Sequence, residues 1–214
     1  LKDAIIRAVK KAKEDSKPRN FTQSMEMGIN LQGLDMKKTQ NRIKEDFVLP
    51  NGRGKDVKIG VFASGDMALR AKKENLSVFD QEDIEKFAKD KKLAKKIANS
   101  HDFFIAQTDY MALVGKSLGP IFAPRGKTPA PLPPTAPLDP MLNKLKKTVK
   151  LKSTNQPVIH TLVGSEKMDD EVLAENISEV IKFFEKKLEK GFDNIKSIYI
   201  KTTMGPAIKL EDFR

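Results

Sequence analysis

Leu49-Pro-Asn-Gly-Arg-Gly-Lys-Asp-Val-Lys-Ile-Gly-Val-Phe62 changes character halfway along. Through Gly54 it is dense in turn residues. From Val57 to Phe62 it is an apolar run of strand length. The chain before this point has helix-plus-antiparallel character, whereas the chain after it alternates strand and helix. The turn is therefore read as a boundary and a hinge.

Upstream, Ile5, Ile6, Val9 and Ala12 fall at helical spacing within a helix from Asp3 to Lys13. Phe21 to Leu31 then switches period. Met25, Met27, Ile29 and Leu31 alternate with Ser24, Glu26, Gly28 and Asn30, the pattern of a half-buried strand with one polar face. Thr22, Ser24 and Glu26 project together from that face. Downstream of Phe62 come a helix from Ser64 to Glu74, a strand from Leu76 to Phe79, a helix from Gln81 to Ala98 with Asp80 as its cap, and a strand from Phe103 to Ala106. Strands alternating with helices imply a small parallel sheet covered on its faces.

Eight of the 12 prolines lie between Pro120 and Pro140, so this segment is read as a loop. A short helix from Asp139 to Lys147 follows. Val149 to Lys152 and Val158 to Val163 read as a hairpin around Ser153-Thr-Asn-Gln-Pro157. From Asp169, the residues Val172, Leu173, Ile177, Val180, Ile181, Phe184 and Leu188 make the longest apolar stripe, stopped by Gly191. Ile195 to Ile200 and Ala207 to Leu210 close the chain as strands. The expected architecture is an α+β domain built from both termini, with an α/β domain inserted, its sheet mostly parallel. The expected boundaries are 1–57 plus 148–214 for the first and 58–147 for the second, with hinges near 50–57 and 147–149.

Lys and Arg outnumber Asp and Glu by 40 to 29 over 214 residues, which favours a polyanionic partner, with solubility and attraction to a membrane surface as the other uses of such charge. The excess is +5 in residues 1–57 (13 against 8), +6 in 58–147 (16 against 10) and zero in 148–214 (11 against 11). The lack of cysteine excludes disulfides, zinc fingers and thiol catalysis. No apolar run approaches the ~20 residues of a spanning helix. The amphipathic start Leu1-Lys-Asp-Ala-Ile-Ile-Arg7 lacks a secretory signal's apolar block. A cytoplasmic protein that does not enter membranes is expected. Because the chain opens on Leu1 rather than methionine, a few preceding residues are expected.

Catalytic motifs are not evident. Gly115-Lys116-Ser117 and Gly126-Lys127-Thr128 lack the earlier glycine of a phosphate-binding loop, Tyr110 and Ile121 standing there instead. His101 and His160 have no companion at metal-ligand spacing, so no metal and no cofactor is expected. Lys91, Lys92, Lys95 and Lys96 form either a solvated helix face or a phosphate contact. Arg125 and Lys127, at the tip of the proline segment, either reach a phosphate backbone as a secondary RNA contact or belong to a simple solvated loop. Thr202-Thr-Met-Gly-Pro206 is either a tight turn, with Gly205 supplying unusual backbone angles, or a binding edge. In the latter case threonine hydroxyls hydrogen-bond phosphate or 2′-hydroxyl oxygens and the bare glycine admits a sugar-phosphate chain.

Ser197-Ile-Tyr-Ile-Lys-Thr-Thr-Met-Gly-Pro206 resembles the C-terminal signature of the ribosomal protein L-one family. Four further blocks agree in order: Phe21-Thr-Gln-Ser-Met-Glu26, Leu49-Pro-Asn-Gly-Arg-Gly-Lys55, Leu118-Gly-Pro-Ile-Phe-Ala-Pro-Arg-Gly-Lys127 and Met168-Asp-Asp-Glu-Val-Leu-Ala-Glu-Asn-Ile177. The resemblance covers essentially the whole chain and fits the archaeal type best. Ala123 departs from the family's usual glycine, and Asn20 from the lysine of bacterial members.

The resemblance implies a main RNA-binding domain from the terminal segments and a Rossmann-like insert, in a non-enzymatic constituent of the large ribosomal subunit that binds rRNA at the mobile lateral stalk. It also implies help in releasing deacylated tRNA from the exit site, repression of translation through the protein's own mRNA leader, and a monomer when off the ribosome. By position, the implied RNA-facing residues are Phe21, Ser24, Glu26, Ser197, Thr203, Met204 and Gly205. Phe21 would pack or stack at the rim, Ser197 and Thr203 would hydrogen-bond sugar and phosphate, Glu26 would accept from a 2′-hydroxyl or orient a neighbour, and Gly205 would permit close approach. The rival from another class is an enzyme using the α/β insert for nucleotide chemistry, which the missing phosphate loop opposes.

Overall fold

The computed structural model describes residues 1–153, 155–211 and 213. In chain order the elements are α1 (Lys2–Glu14), β1 (Ser24–Leu31), β2 (Lys44–Val48), β3 (Ile59–Phe62), α2 (Gly65–Lys73), β4 (Ser77–Phe79), α3 (Gln81–Lys89), α4 (Lys91–Ser100), β5 (Phe103–Gln107), α5 (Thr108–Phe122), β6 (Ala130–Leu132), α6 (Asp139–Lys147), β7 (Thr148–Lys152), β8 (Val158–Ser165), α7 (Asp170–Lys187), β9 (Ile195–Thr202) and β10 (Ile208–Leu210). The chain folds as two compact units, one of Leu1–Lys55 with the chain from Lys146 onward, the other of Asp56–Leu145. The α+β sheet joining both termini and the central parallel α/β sheet are the architecture expected from sequence.

In the first unit the antiparallel sheet runs β10-β9-β1-β8. The polar–apolar alternation of β1 sends Met25, Met27, Ile29 and Leu31 to one face, where they meet Ile198 and Ile200 of β9, Ile159 and Val163 of β8, and the apolar stripes of α1 and α7. Fully burying each such aliphatic side chain contributes about 1.5–3 kcal/mol. No helix stripe faces the other side of β1, so Glu26, Gly28 and Asn30 stay partly exposed. A bulge on β8 opposite Met25/Glu26 lets two residues of β8 face one of β1.

The expected β7–β8 hairpin does not form. Instead β7 pairs with β2, Lys44 opposite Lys152 through Val48 opposite Thr148, while β8 pairs with β1. Ser153 fastens the first arrangement, its N–H donating to the Ile43 carbonyl (2.8 Å) and its Oγ accepting from the Ile43 N–H (2.9 Å). Thr154 of the expected turn lies outside the described residues. The turn after β2 is held by Asn176 of α7, which is fully buried. Its Oδ1 accepts from the Asn51 N–H (3.1 Å), and its Nδ2 donates to the carbonyls of Gly52 (3.0 Å) and Val163 (2.8 Å).

In the second unit all strands are parallel in the order β4-β3-β5-β6. Ile59, Val61, Phe103 and Ile105 face the layer containing α2 and α6; Phe62, Phe104 and Ala106 face α3, α4 and α5. Phe104 stacks on Phe122 at 4.5 Å between ring centroids. A Cβ at Gly60 would lie 2.8 Å from that Phe104 ring, so β3 needs glycine there.

Two local expectations are corrected. The helix expected from Gln81 to Ala98 breaks at Asp90, whose carboxylate accepts from the N–H groups of Lys92 (2.8 Å) and Leu93 (3.3 Å) and so caps α4 as a new helix. Asp80 does cap α3, in a reciprocal capping box with Asp83. The proline segment is not all loop. α5 carries Pro120 inside its last turn, and Pro131 sits in β6 at the sheet's edge, where a missing N–H costs no ladder bond. Gly115-Lys116-Ser117 lies within α5, so its backbone forms helix rather than a phosphate cradle.

Candidate nucleic-acid interface

The Thr202–Pro206 turn is built against the strand start that lies far from it in sequence. The Thr203 N–H donates to the Ser24 carbonyl (3.0 Å), and the Ser24 N–H donates to Thr203 Oγ1 (3.0 Å), so a side chain prolongs the β1–β9 ladder. Gln23 is the centre of the arrangement and is only 1% exposed. Its Oε1 accepts from the Met204 N–H (3.0 Å), its Nε2 donates to Ser16 Oγ (2.9 Å) and the Lys17 carbonyl (3.3 Å), and its own N–H donates to Glu166 Oε1 (2.7 Å). Thr202 Oγ1 in turn donates to Ser16 Oγ at 2.8 Å. One buried carboxamide thus ties the end of α1, the start of β1 and the turn after β9 into a rigid corner.

Gly205 is needed here for space, not for backbone angles. Its φ is not positive, but a Cβ would run into Thr202 Oγ1 and come within 3.4 Å of Ser16. The corner leaves two large apolar side chains in solvent, Phe21 at 51% and Met204 at 58% exposure. Both are therefore open to a partner that docks on the corner.

Phe21, Ser24, Thr203, Met204 and Gly205 are therefore brought together. Glu26 follows two residues along the open face of β1, opposite Lys201 of β9. No ion pair joins these two among the described residues. Ser197 lies elsewhere: it is opposite Asn30, six residues and so ~20 Å along the strand from Ser24. It is 6% exposed, and its Oγ accepts from Asn30 Nδ2 at 2.9 Å. Arg125 and Lys127 belong to the other unit and are engaged internally. Lys127 Nζ donates to the carbonyls of Ala98 (2.8 Å) and His101 (2.6 Å) at the end of α4; Arg125 reaches Asn99 Oδ1 (3.2 Å) and the Ile121 carbonyl (2.9 Å). Lys201 and Tyr199 on the open sheet face went unnoticed in the sequence, though their alternation with buried neighbours was a usable signal; Asn30 was placed on the polar face of β1 but not in the site. Gln23 offered none. Among the described residues no three His, Asp or Glu side chains gather to hold a metal, and no helix is long and apolar enough to cross a membrane.

A basic α+β chain whose prepared surface is a rigid corner bearing exposed Phe and Met side chains has the make-up of a nucleic-acid-binding protein. Comparison with known proteins gives the family. Residues 9–206 match the Ribosomal protein L1p/L10e family, and the chain belongs to it. It is 52% identical over 210 residues to the large ribosomal subunit protein uL1 of Methanothermococcus thermolithotrophicus, covering 98% of this chain and 99% of that protein. It is 53% identical over 207 residues to that of Methanobrevibacter smithii (96% and 98% covered), and 49% over 208 to that of Pyrococcus abyssi (97% and 95%). These relatives are archaeal, as the sequence motifs implied, and membership makes this a ribosomal protein and not an enzyme.

Proposed function

We propose that this chain is a constituent of the large ribosomal subunit and binds large-subunit rRNA at the mobile lateral stalk through Phe21, Ser24, Glu26, Thr203, Met204 and Gly205. The observation that carries this is the Gln23-centred corner, which presents Phe21 and Met204 to solvent beside a Cβ-free backbone. Phe21 and Met204 pack on base or sugar faces, and the remaining lone pair of Thr203 Oγ1 accepts from a 2′-hydroxyl. Ser197 extends the contact along the sheet face toward Asn30, with Arg125 and Lys127 as a secondary contact from the other unit. The two units act as domains joined by hinges near 50–57 and 147–149, and from the stalk the protein assists release of deacylated tRNA from the exit site.

Binding of the full chain to a short stalk rRNA fragment is the test. Affinity well above that for arbitrary duplex RNA at moderate salt is expected, and equal affinity refutes it. The same corner also serves a similar fold in the protein's own mRNA leader, repressing translation. Mutually exclusive binding of the two RNAs is expected, and simultaneous binding removes the shared surface.

A further inference from the structure

We propose that the groove between α1 and β10 is a second binding site, for the phosphodiester backbone of an RNA strand running on from the Thr203–Gly205 turn. The groove has a volume of about 390 Å³ and is lined by Ala4, Arg7, Ala8 and Lys11 of α1 and by Ile208, Lys209 and Glu211. Buried Ala4 and Ala8 keep its floor low, while Arg7, Lys11 and Lys209 are exposed at its rim. Arg7 and Lys11 stand one helical turn apart, a like-charge spacing that weakens an isolated helix. No carboxylate pairs with either, or with Lys209, among the described residues. Among the described residues that line the groove, three cations face one carboxylate, Glu211, so this lining carries a net positive charge.

Its position names the ligand. Ser16, which holds Thr202 and underlies Gly205, lies five residues beyond Lys11, or ~8 Å along the helix direction. On the strand side Pro206 and Ala207 lead directly from the turn into Ile208. The near end of the groove therefore abuts the turn, and the groove continues from it. β10 is the sheet's edge strand, so the outward side of its backbone adds hydrogen-bonding groups. At three residues it is too short to template an added peptide strand, which favours a sugar-phosphate chain over an acidic peptide. This assignment of the ligand depends on the rRNA binding proposed for the turn.

The full chain contains no cysteine, so Lys11→Cys carries a single photo-crosslinker without competing sites. With a stalk rRNA fragment as probe, a crosslink from this position is expected. The Arg7→Gln/Lys11→Gln/Lys209→Gln variant should bind roughly 10- to 100-fold more weakly at low salt, with the slope of log K against log salt shallower by about 2, at ~0.7 for each phosphate of a single strand that is no longer neutralised. Its affinity should converge on wild type at high salt, and its melting temperature should be unchanged because all three side chains are exposed. Thr203→Val should instead weaken binding at every salt concentration with the slope kept. A wild-type slope in the triple variant with no crosslink overturns the groove proposal, and if Thr203→Val still weakens binding, the turn stands without it. Loss of slope in the triple variant with Thr203→Val silent removes the turn and keeps the groove. Equal affinity of polyglutamate for the groove, read as equal protection of Lys11→Cys, overturns the choice of RNA.

Discussion

Gln23→Ala separates the corner from everything it touches. The substitution removes a side chain that is 1% exposed, accepts from the Met204 N–H and donates to Ser16 Oγ and the Lys17 carbonyl. At ~1 kcal/mol per bond, and more where a buried partner is left unsatisfied, the first unit should lose about 2–4 kcal/mol. Freed of its anchor, the turn from Thr203 to Gly205 must be ordered again on binding. At ~1–2 kcal/mol per residue, diluted by what the Thr203–Ser24 bonds retain, this lowers RNA affinity about 10- to 100-fold. Hydrogen exchange at the Met204 amide and anisotropy titration with a stalk rRNA fragment measure the two effects on one sample. Fast exchange at Met204 with undiminished affinity refutes the role of the turn in binding. A stability change within ~0.5 kcal/mol refutes the role of Gln23 in holding it.

Gly205→Ala should destabilise by about 1–3 kcal/mol because its Cβ meets Thr202 Oγ1, and Thr202→Ala should recover part of that loss in a double-mutant cycle of melting curves. Asn176→Ala strands the Asn51 N–H and the carbonyls of Gly52 and Val163 and should cost about 2–4 kcal/mol in urea denaturation; a cost near zero shows that water replaces the amide. Lys127→Ala should lose about 1 kcal/mol of stability through the carbonyls at the end of α4, and as a secondary phosphate contact it should make the salt slope of RNA binding shallower by ~0.7. An unchanged slope would confine Lys127 to its internal carbonyl bonds and remove it from the secondary contact.

What could be read from sequence followed the strength of local pattern. β1 was legible because it has one wet face and one dry one, so its residues alternate without exception. β2 was not: Lys44–Val48 buries none of its residues completely, so no apolar period marks it. α5 escaped because Pro120 and two glycines masked a helix whose stability comes from packing Val114, Leu118 and Phe122 against the parallel sheet. At Asp90 a side-chain cap outweighed an apolar stripe that would have run on. At the candidate site, the turn was one of two readings of its threonines and glycine and was joined to Phe21–Glu26 by the family signature, whereas Gln23 was missed because its bond to Met204 spans 181 positions. The groove beside α1 was missed for a related reason: Arg7, Lys11 and Lys209 become neighbours only when the two ends of the chain meet.

The placement of β1 between β8 and β9 also sets a timetable for synthesis. β1 is complete at Leu31, but β9 begins at Ile195, about 165 residues later, which at 5–20 residues per second is a wait of roughly 8–33 s. During that interval Met25, Met27 and Ile29 lack the strands that will cover them, while Asp56–Leu145, contiguous in sequence, can already fold. Nascent chains released before β9 emerges should therefore carry a finished parallel sheet and yet no Gln23 corner. Competence to hold RNA at the turn would arrive only once the chain had been translated through Pro206.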